Sequence, residues 1–158
     1  MNFNAKKMNE DYAKEILLWK YEAPYDLYNN ECNDEGVNEL LNGDYVAVVN
    51  EIDELVGFCC IGASAQVPIG NRFGAYAEDM VDIGLGMKPN LTGKGHGIEF
   101  FSFILRFVHE SQERNLPLRL TVATFNNRAI HLYNKLGFIE NVTFYSNEIE
   151  FTTMIKEM

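Results

Sequence analysis

Residues Pro89–Gly97, PNLTGKGHG, run directly into the apolar block Ile98–Val108, IEFFSFILRFV. Gly93, Gly95 and Gly97 alternate with Lys94 and His96, so every second position lacks a Cβ and the backbone lies open to close approach. The stretch before it, AEDMVDIGLGM over Ala77–Met87, reads as a strand entering the loop. The stretch after it reads as a helix from about Gly95 to Glu113, apolar at Ile98, Phe101, Leu105 and Val108. Phe100, Phe103 and Phe107 widen that stripe, which predicts burial on more than one side. Strand, glycine loop and helix start form a general anion site, because the first helical amides lack intrahelical acceptors and the macrodipole favours negative charge.

Two nucleotide motifs fail here. A Walker A loop requires Ser or Thr after Gly-Lys, but Gly93-Lys94 is followed by Gly95, and its leading glycine position holds Lys88. The dinucleotide fingerprint fails on the spacing of Gly93, Gly95 and Gly97.

Working outward, the 158 residues suit one domain over 1–158. A hydrophobic share of 47% marks a folded chain. No apolar run reaches the ~18 residues of a membrane span, and the N-terminus lacks a signal-peptide core, so no membrane association and a cytoplasmic location are expected. Cys32, Cys59 and Cys60 match neither a disulfide framework nor a zinc site, and the vicinal pair reads as small apolar residues of a core strand. The histidines at 96, 109 and 131 have no metal spacing, and no metal is expected. A net charge of -10 disfavours nucleic acid and would draw cations into a cleft.

Along the chain, FNAKKM suggests a first strand, and Asn9 an N-cap for EDYAKEILLWKY, apolar at Tyr12, Ile16 and Trp19. WKYEAPYDLYNN is irregular, and EGVNELLNGD is a short helix stopped by Gly43. YVAVVN and LVGFCCIGA form a hairpin, and SAQVPIGNRFGAY reads as loop. LPLRLTVAT is a strand, and NNRAIHLYNKLG a helix capped by Asn126 or Asn127 and ended by Gly137. FIENVTFY and EIEFTTMIK close a hairpin through Ser146-Asn147. The order β-α-α-β-β-β-α-β-α-β-β predicts an α/β (α+β) fold: a mixed, mostly antiparallel sheet of six or seven strands flanked by about four helices, with a parallel pair at the β-α-β unit.

GMKPNLTGKGHG, the helix after it, and LTVATFNNRAIHLYNKLGF together resemble the GNAT superfamily of acetyl-CoA-dependent N-acetyltransferases. That family's loop has the form Gln/Arg-x-x-Gly-x-Gly/Ala. Thr92-Gly93-Lys94-Gly95-His96-Gly97 matches it except at Thr92, which replaces the leading Gln or Arg. Its second block appears as Asn126, Tyr133 and Leu136-Gly137-Phe138, and WKYEAPYDLYN is similar to an aromatic substrate-side segment of some bacterial members.

The resemblance implies acetyl-CoA as cosubstrate. The amides of Leu85 and Met87 would hold the acetyl carbonyl and pantetheine arm, and an N–H donor there stabilises charge built on the thioester oxygen. The amides of Thr92, Gly93, Lys94, Gly95, His96 and Gly97 would take the phosphates, with Lys88, Lys94 and Arg128 as counter-charges. Tyr133 corresponds to the acid that protonates the departing thiolate; the bland reading is a packed helix tyrosine. Asn126 would bond the pantetheine, or serve only as N-cap. Where some members carry a glutamate, five positions before the asparagine, this chain has Thr121. Asp82 is the replacement candidate for general base, with Glu22 and Glu78 behind it.

The implied function is transfer of acetyl from acetyl-CoA to a primary amine, on a small molecule or a peptide N-terminus and cationic by the charge argument. The alternative is a non-catalytic acyl-CoA-binding or regulatory module. An exposed apolar edge on the C-terminal strand would suit a homodimer.

Overall fold

Asn9 accepts a hydrogen bond from the Tyr12 amide at 2.8 Å, and the helix it starts sets the chain's first turn. The computed structural model describes residues 1–157. Seven strands follow the order β1-β2-β3-β4-β5-β7-β6. They are β1 (Asn4–Lys7), β2 (Tyr45–Val49), β3 (Leu55–Ile61), β4 (Val81–Met87), β5 (Leu118–Ala123), β6 (Ile139–Ser146) and β7 (Ile149–Lys156). The helices are α1 (Glu10–Leu17), α2 (Asp34–Leu40), α3 (Gly97–Ser111) and α4 (Asn127–Lys135). The expected element order and mixed α/β class hold. Residue contacts divide the chain into two compact units, Met1–Cys60 with Leu85–Phe107, and Ile61–Gly84 with Val108 onward.

In the first unit, β1, β2 and β3 form an antiparallel meander with a bulge after Val48. Its core joins Ala13, Ile16 and Leu17 of α1 to Leu40, Ala47 and Leu55, with Trp19 buried just beyond the helix it was expected to extend. The α3 stripe is rotated from expectation. Phe100, Phe101, Ile104 and Val108 are buried, while Ile98 is 45% exposed. Gly57 explains this phase: a Cβ there would meet the Phe100 ring and stand 2.7 Å from the Gly86 carbonyl oxygen. The missing side chain lets the ring lie on the sheet.

In the second unit, β4 and β5 pair in parallel, as the β-α-β reading required, and β5, β7 and β6 continue antiparallel. The last hairpin turns on Asn147-Glu148, one residue later than expected. Both have positive φ (49° and 70°), the backbone of a type I′ turn. β7 lies between β5 and β6, so the free edge belongs to β6 and not to the C-terminal strand. The segment expected as loop carries two 3-10 turns, Gly62–Ala65 and Pro68–Phe73.

Candidate active site

Two parts of the chain carry the residues singled out above, one in each unit. In the first, β4 ends at Met87, and Lys88 donates its amide to the Val56 carbonyl at 2.8 Å. A 3-10 turn over Pro89–Leu91 follows. Thr92 bends back, its hydroxyl donating to the Pro89 carbonyl at 2.7 Å. Gly93 and Gly95 then take left-handed φ values of 70° and 85°, and α3 begins at Gly97, with Phe100 donating to the His96 carbonyl at 3.0 Å. A Cβ built on Gly95 meets nothing within 4 Å. The loop therefore offers bare backbone to open space, ahead of helix amides that have no partner within α3. This arrangement fits a diphosphate. Lys94 is exposed and His96 half-buried.

Strand alternation locates the other backbone donors. The Val81 amide donates to the Pro117 carbonyl at 2.9 Å. Period two puts the amides of Leu85 and Met87 on that same edge of β4. The ladder on that edge ends at the pair Asp82↔Arg119, before it reaches either.

The segment after α1 is anchored to the same strand end. Tyr21 donates its hydroxyl to the Met87 carbonyl at 2.7 Å, and its amide donates to Asn29 Oδ1 at 2.7 Å. Tyr28 packs edge-on against Tyr21, and Trp19 stacks on Phe58. Burial pushes the Tyr21 phenol up to about 12, so it stays protonated and donates at any physiological pH. Glu22 is exposed in this segment.

In the second unit, Asn126 caps α4, its Oδ1 accepting from the Ala129 amide at 3.1 Å. Tyr133, 9% exposed, sits one turn before the helix end with its ring 6.3 Å from Phe138. The Phe138 amide donates to the Tyr133 carbonyl at 3.0 Å, so the Leu136-Gly137-Phe138 block folds back onto the tyrosine. Gly137, at φ 96°, makes that reversal. Arg128 is exposed on the first turn of α4.

Asp82 has a different setting from the one a general base needs. It is 4% exposed, and Arg119 is 2% exposed. Arg119 donates from Nε to Asp82 Oδ1 at 2.6 Å and from Nη2 to Oδ2 at 2.8 Å, while Gln66 Nε2 donates to Oδ2 at 2.8 Å. Arg119 Nη1 donates to the Glu78 carbonyl at 3.0 Å, and its Cζ lies 5.0 Å from the Tyr76 ring centre. The hydrogen bond that Arg119 donates to Asp82 raises the guanidinium pKa further above an already basic value. Both Asp82 carboxylate oxygens already accept hydrogen bonds from Arg119 and Gln66 inside the core, so we reassign Asp82 from base to structural anchor. Glu78, the other runner-up on this side, is exposed.

A family model described as "Acetyltransferase (GNAT) family" matches residues 8–138. The chain belongs to the GNAT acetyltransferase family. Solved structures agree on the fold. One, a spermidine N-acetyltransferase SpeG chimera from Vibrio cholerae and hSSAT, superposes with a TM-score of 0.72 at 16% identity, covering 99% of this chain and 96% of that one. Another, the GNAT-family acetyltransferase from Bacillus anthracis, gives 0.66 at 15% identity, covering 98% and 94%. No curated protein matches the sequence significantly. Family membership favours the enzyme reading over the binding module.

This GNAT chain departs from the family pattern at two threonines, and each has a local partner. Thr92 satisfies its own hydroxyl on the Pro89 carbonyl, so its side chain closes the turn. Thr121, at the glutamate position, lies 2.8 Å from the Tyr76 hydroxyl, which also accepts from the Val67 amide at 2.9 Å. Sequence reading missed Tyr21, Tyr76 and Arg119. Arg119 had left a signal: a lone charge inside the apolar run LPLRLTVAT needs a buried partner. Among the described residues no helix is long and apolar enough to cross a membrane, and no group of three acidic, histidine or cysteine side chains could hold a metal.

Proposed function

We propose that this acetyltransferase moves an acetyl group from acetyl-CoA directly to a primary amine. The observation that carries the reading is the end of β4. Its ladder stops at Asp82↔Arg119, the amides of Leu85 and Met87 follow on the same edge, and the Gly93–Gly97 loop opens α3 a few residues later. These amides would hold the acetyl carbonyl and pantetheine, and Thr92–Gly97 the diphosphate, with Lys88, Lys94 and Arg128 as counter-charges. Asn126 would bond the pantetheine alongside its capping of α4.

Tyr133 is the proposed acid. A phenol is a weaker acid than a thiol, so this is an uphill transfer that C–S cleavage can accompany. With Asp82 held by Arg119, the amine's proton would leave through water. This suffices for an α-amine near ~8, neutral about one time in ten at pH 7, better than for a lysine amine near ~10.4. The acceptor is proposed to be cationic, on the net charge of -10 and on the fold's likeness to a chimera named as a spermidine N-acetyltransferase.

A thiol-release assay with acetyl-CoA against spermidine, an aminoglycoside, a peptide N-terminus and a small anionic amine tests the reading. Release with a cationic amine, at a rate that falls with salt, is the expected result. Binding of acetyl-CoA without release for any amine would reject transfer, and preference for the anionic amine would reject the charge argument.

A further inference from the structure

We propose that the Asp82–Arg119 ion pair is a positioning clasp, which fixes the residue pair at which β4 and β5 part and so sets the β4 edge that receives the acyl donor. The inference rests on the acetyl-CoA reading above. Parallel strands joined by two residue pairs alone, Val81↔Leu118 and Asp82↔Arg119, have little backbone to specify their register. The second pair is itself the ion pair, bonded at two points of 2.6 Å and 2.8 Å.

A planar fork on a carboxylate tolerates no slip, because moving either strand by one residue sends one side chain to the opposite face. Such a slip would shift Leu85 and Met87 by about 3.3 Å and turn their amides to the other edge of β4. The remaining polar atoms tie in the segment between β3 and β4. Gln66 bonds Asp82, the Glu78 carbonyl bonds Arg119, and Tyr76 bonds Thr121, two residues beyond Arg119 on the same face of β5. An apolar pair of the same volume would fill the space equally well without specifying register.

That difference supplies the test. The variant Asp82→Leu/Arg119→Met removes the fork without leaving a buried charge, and Arg119→Lys keeps the charge but loses the fork. Calorimetric acetyl-CoA affinity and melting temperature are measured for both. The clasp predicts a folded variant with roughly tenfold or weaker acetyl-CoA binding, on the scale that small misplacements of a site produce. Wild-type affinity in either folded variant overturns it, whatever the melting temperature does.

Should neither variant fold, amide exchange in the wild-type chain decides. Slow exchange at Val81 and Arg119 without acetyl-CoA is expected, and exchange there as fast as in exposed loops overturns the clasp. A wild-type chain that does not bind acetyl-CoA rejects the donor assignment, and with it this role for the pair.

Discussion

The Tyr21 hydroxyl donates to the Met87 carbonyl at 2.7 Å and joins the aromatic segment after α1 to the last residue of β4. The phenol lies on the acceptor-side segment suggested by the family resemblance, and the carbonyl belongs to a residue proposed to hold the acetyl group. Tyr21→Phe keeps the ring against Tyr28 and removes only this bond. The expected result is a loss of about 0.5–1.5 kcal/mol in stability and a several-fold rise in acceptor KM, with acetyl-CoA affinity nearly unchanged. Steady-state kinetics with each substrate varied in turn checks it; an unchanged acceptor KM would leave the bond a purely structural one.

Gly95 has φ 85° and open space where a Cβ would stand. Gly95→Val should still fold, at a cost of about 1–2 kcal/mol for the left-handed backbone, and should lose the rise in Tm that acetyl-CoA gives the wild type. Gly74→Val is the matched control, since Gly74 has φ 74° and equally open space in the other unit. Loss of Tm in both variants, with loss of the ligand-induced shift in Gly95→Val alone, identifies the loop as the phosphate site.

Tyr133→Phe separates chemistry from binding. The ring packs against Phe138 in a 9% exposed site, so phenylalanine fills the same volume. Turnover should fall ~10²-fold or more with acetyl-CoA affinity retained, the usual scale for a lost general acid. Wild-type turnover would return Tyr133 to the status of a packed helix tyrosine.

The cysteines predict a pH limit on stability. Cys32 is exposed, while Cys59 and Cys60 are buried. Burial pushes the Cys59 thiol from an ordinary 9 up to about 12. A folded pKa above the unfolded one means that the native state holds its proton longer. This contribution is complete below pH 9 and is lost as pH rises towards 12, and the Tyr21 phenol acts in the same direction between 10 and about 12. Thermal melts across that range should show Tm falling, less steeply in Cys59→Ala after correction for its lower starting stability. At neutral pH a thiol reagent should label Cys32 alone until denaturant is added.

Much of the fold was legible because local signals agreed with it. The caps at Asn9 and Asn126, the stop at Gly137 and the β-rich runs of the β2–β3 hairpin each specify an element from neighbouring residues. The glycine loop was legible for the same reason, since left-handed glycines at a helix start are a local feature. What misled the reading was long-range. Ile98 fits the helical stripe as well as Phe100 does, and Gly57, distant in sequence, selects between them. Asp82 looked like a free carboxylate on the strand entering the loop until Arg119 came against it from β5.

The sequence by itself determined the order of the elements, the glycine loop and the family, because these depend on residue type and short spacing. Tertiary structure alone decided which side chains keep their chemistry free. Arg119 and Gln66 occupy the Asp82 carboxylate, Tyr76 lies against Thr121, and Tyr21 takes the Met87 carbonyl. Hydrogen-bond capacity is spent on partners brought near by the folded backbone, and no local pattern states who those partners are.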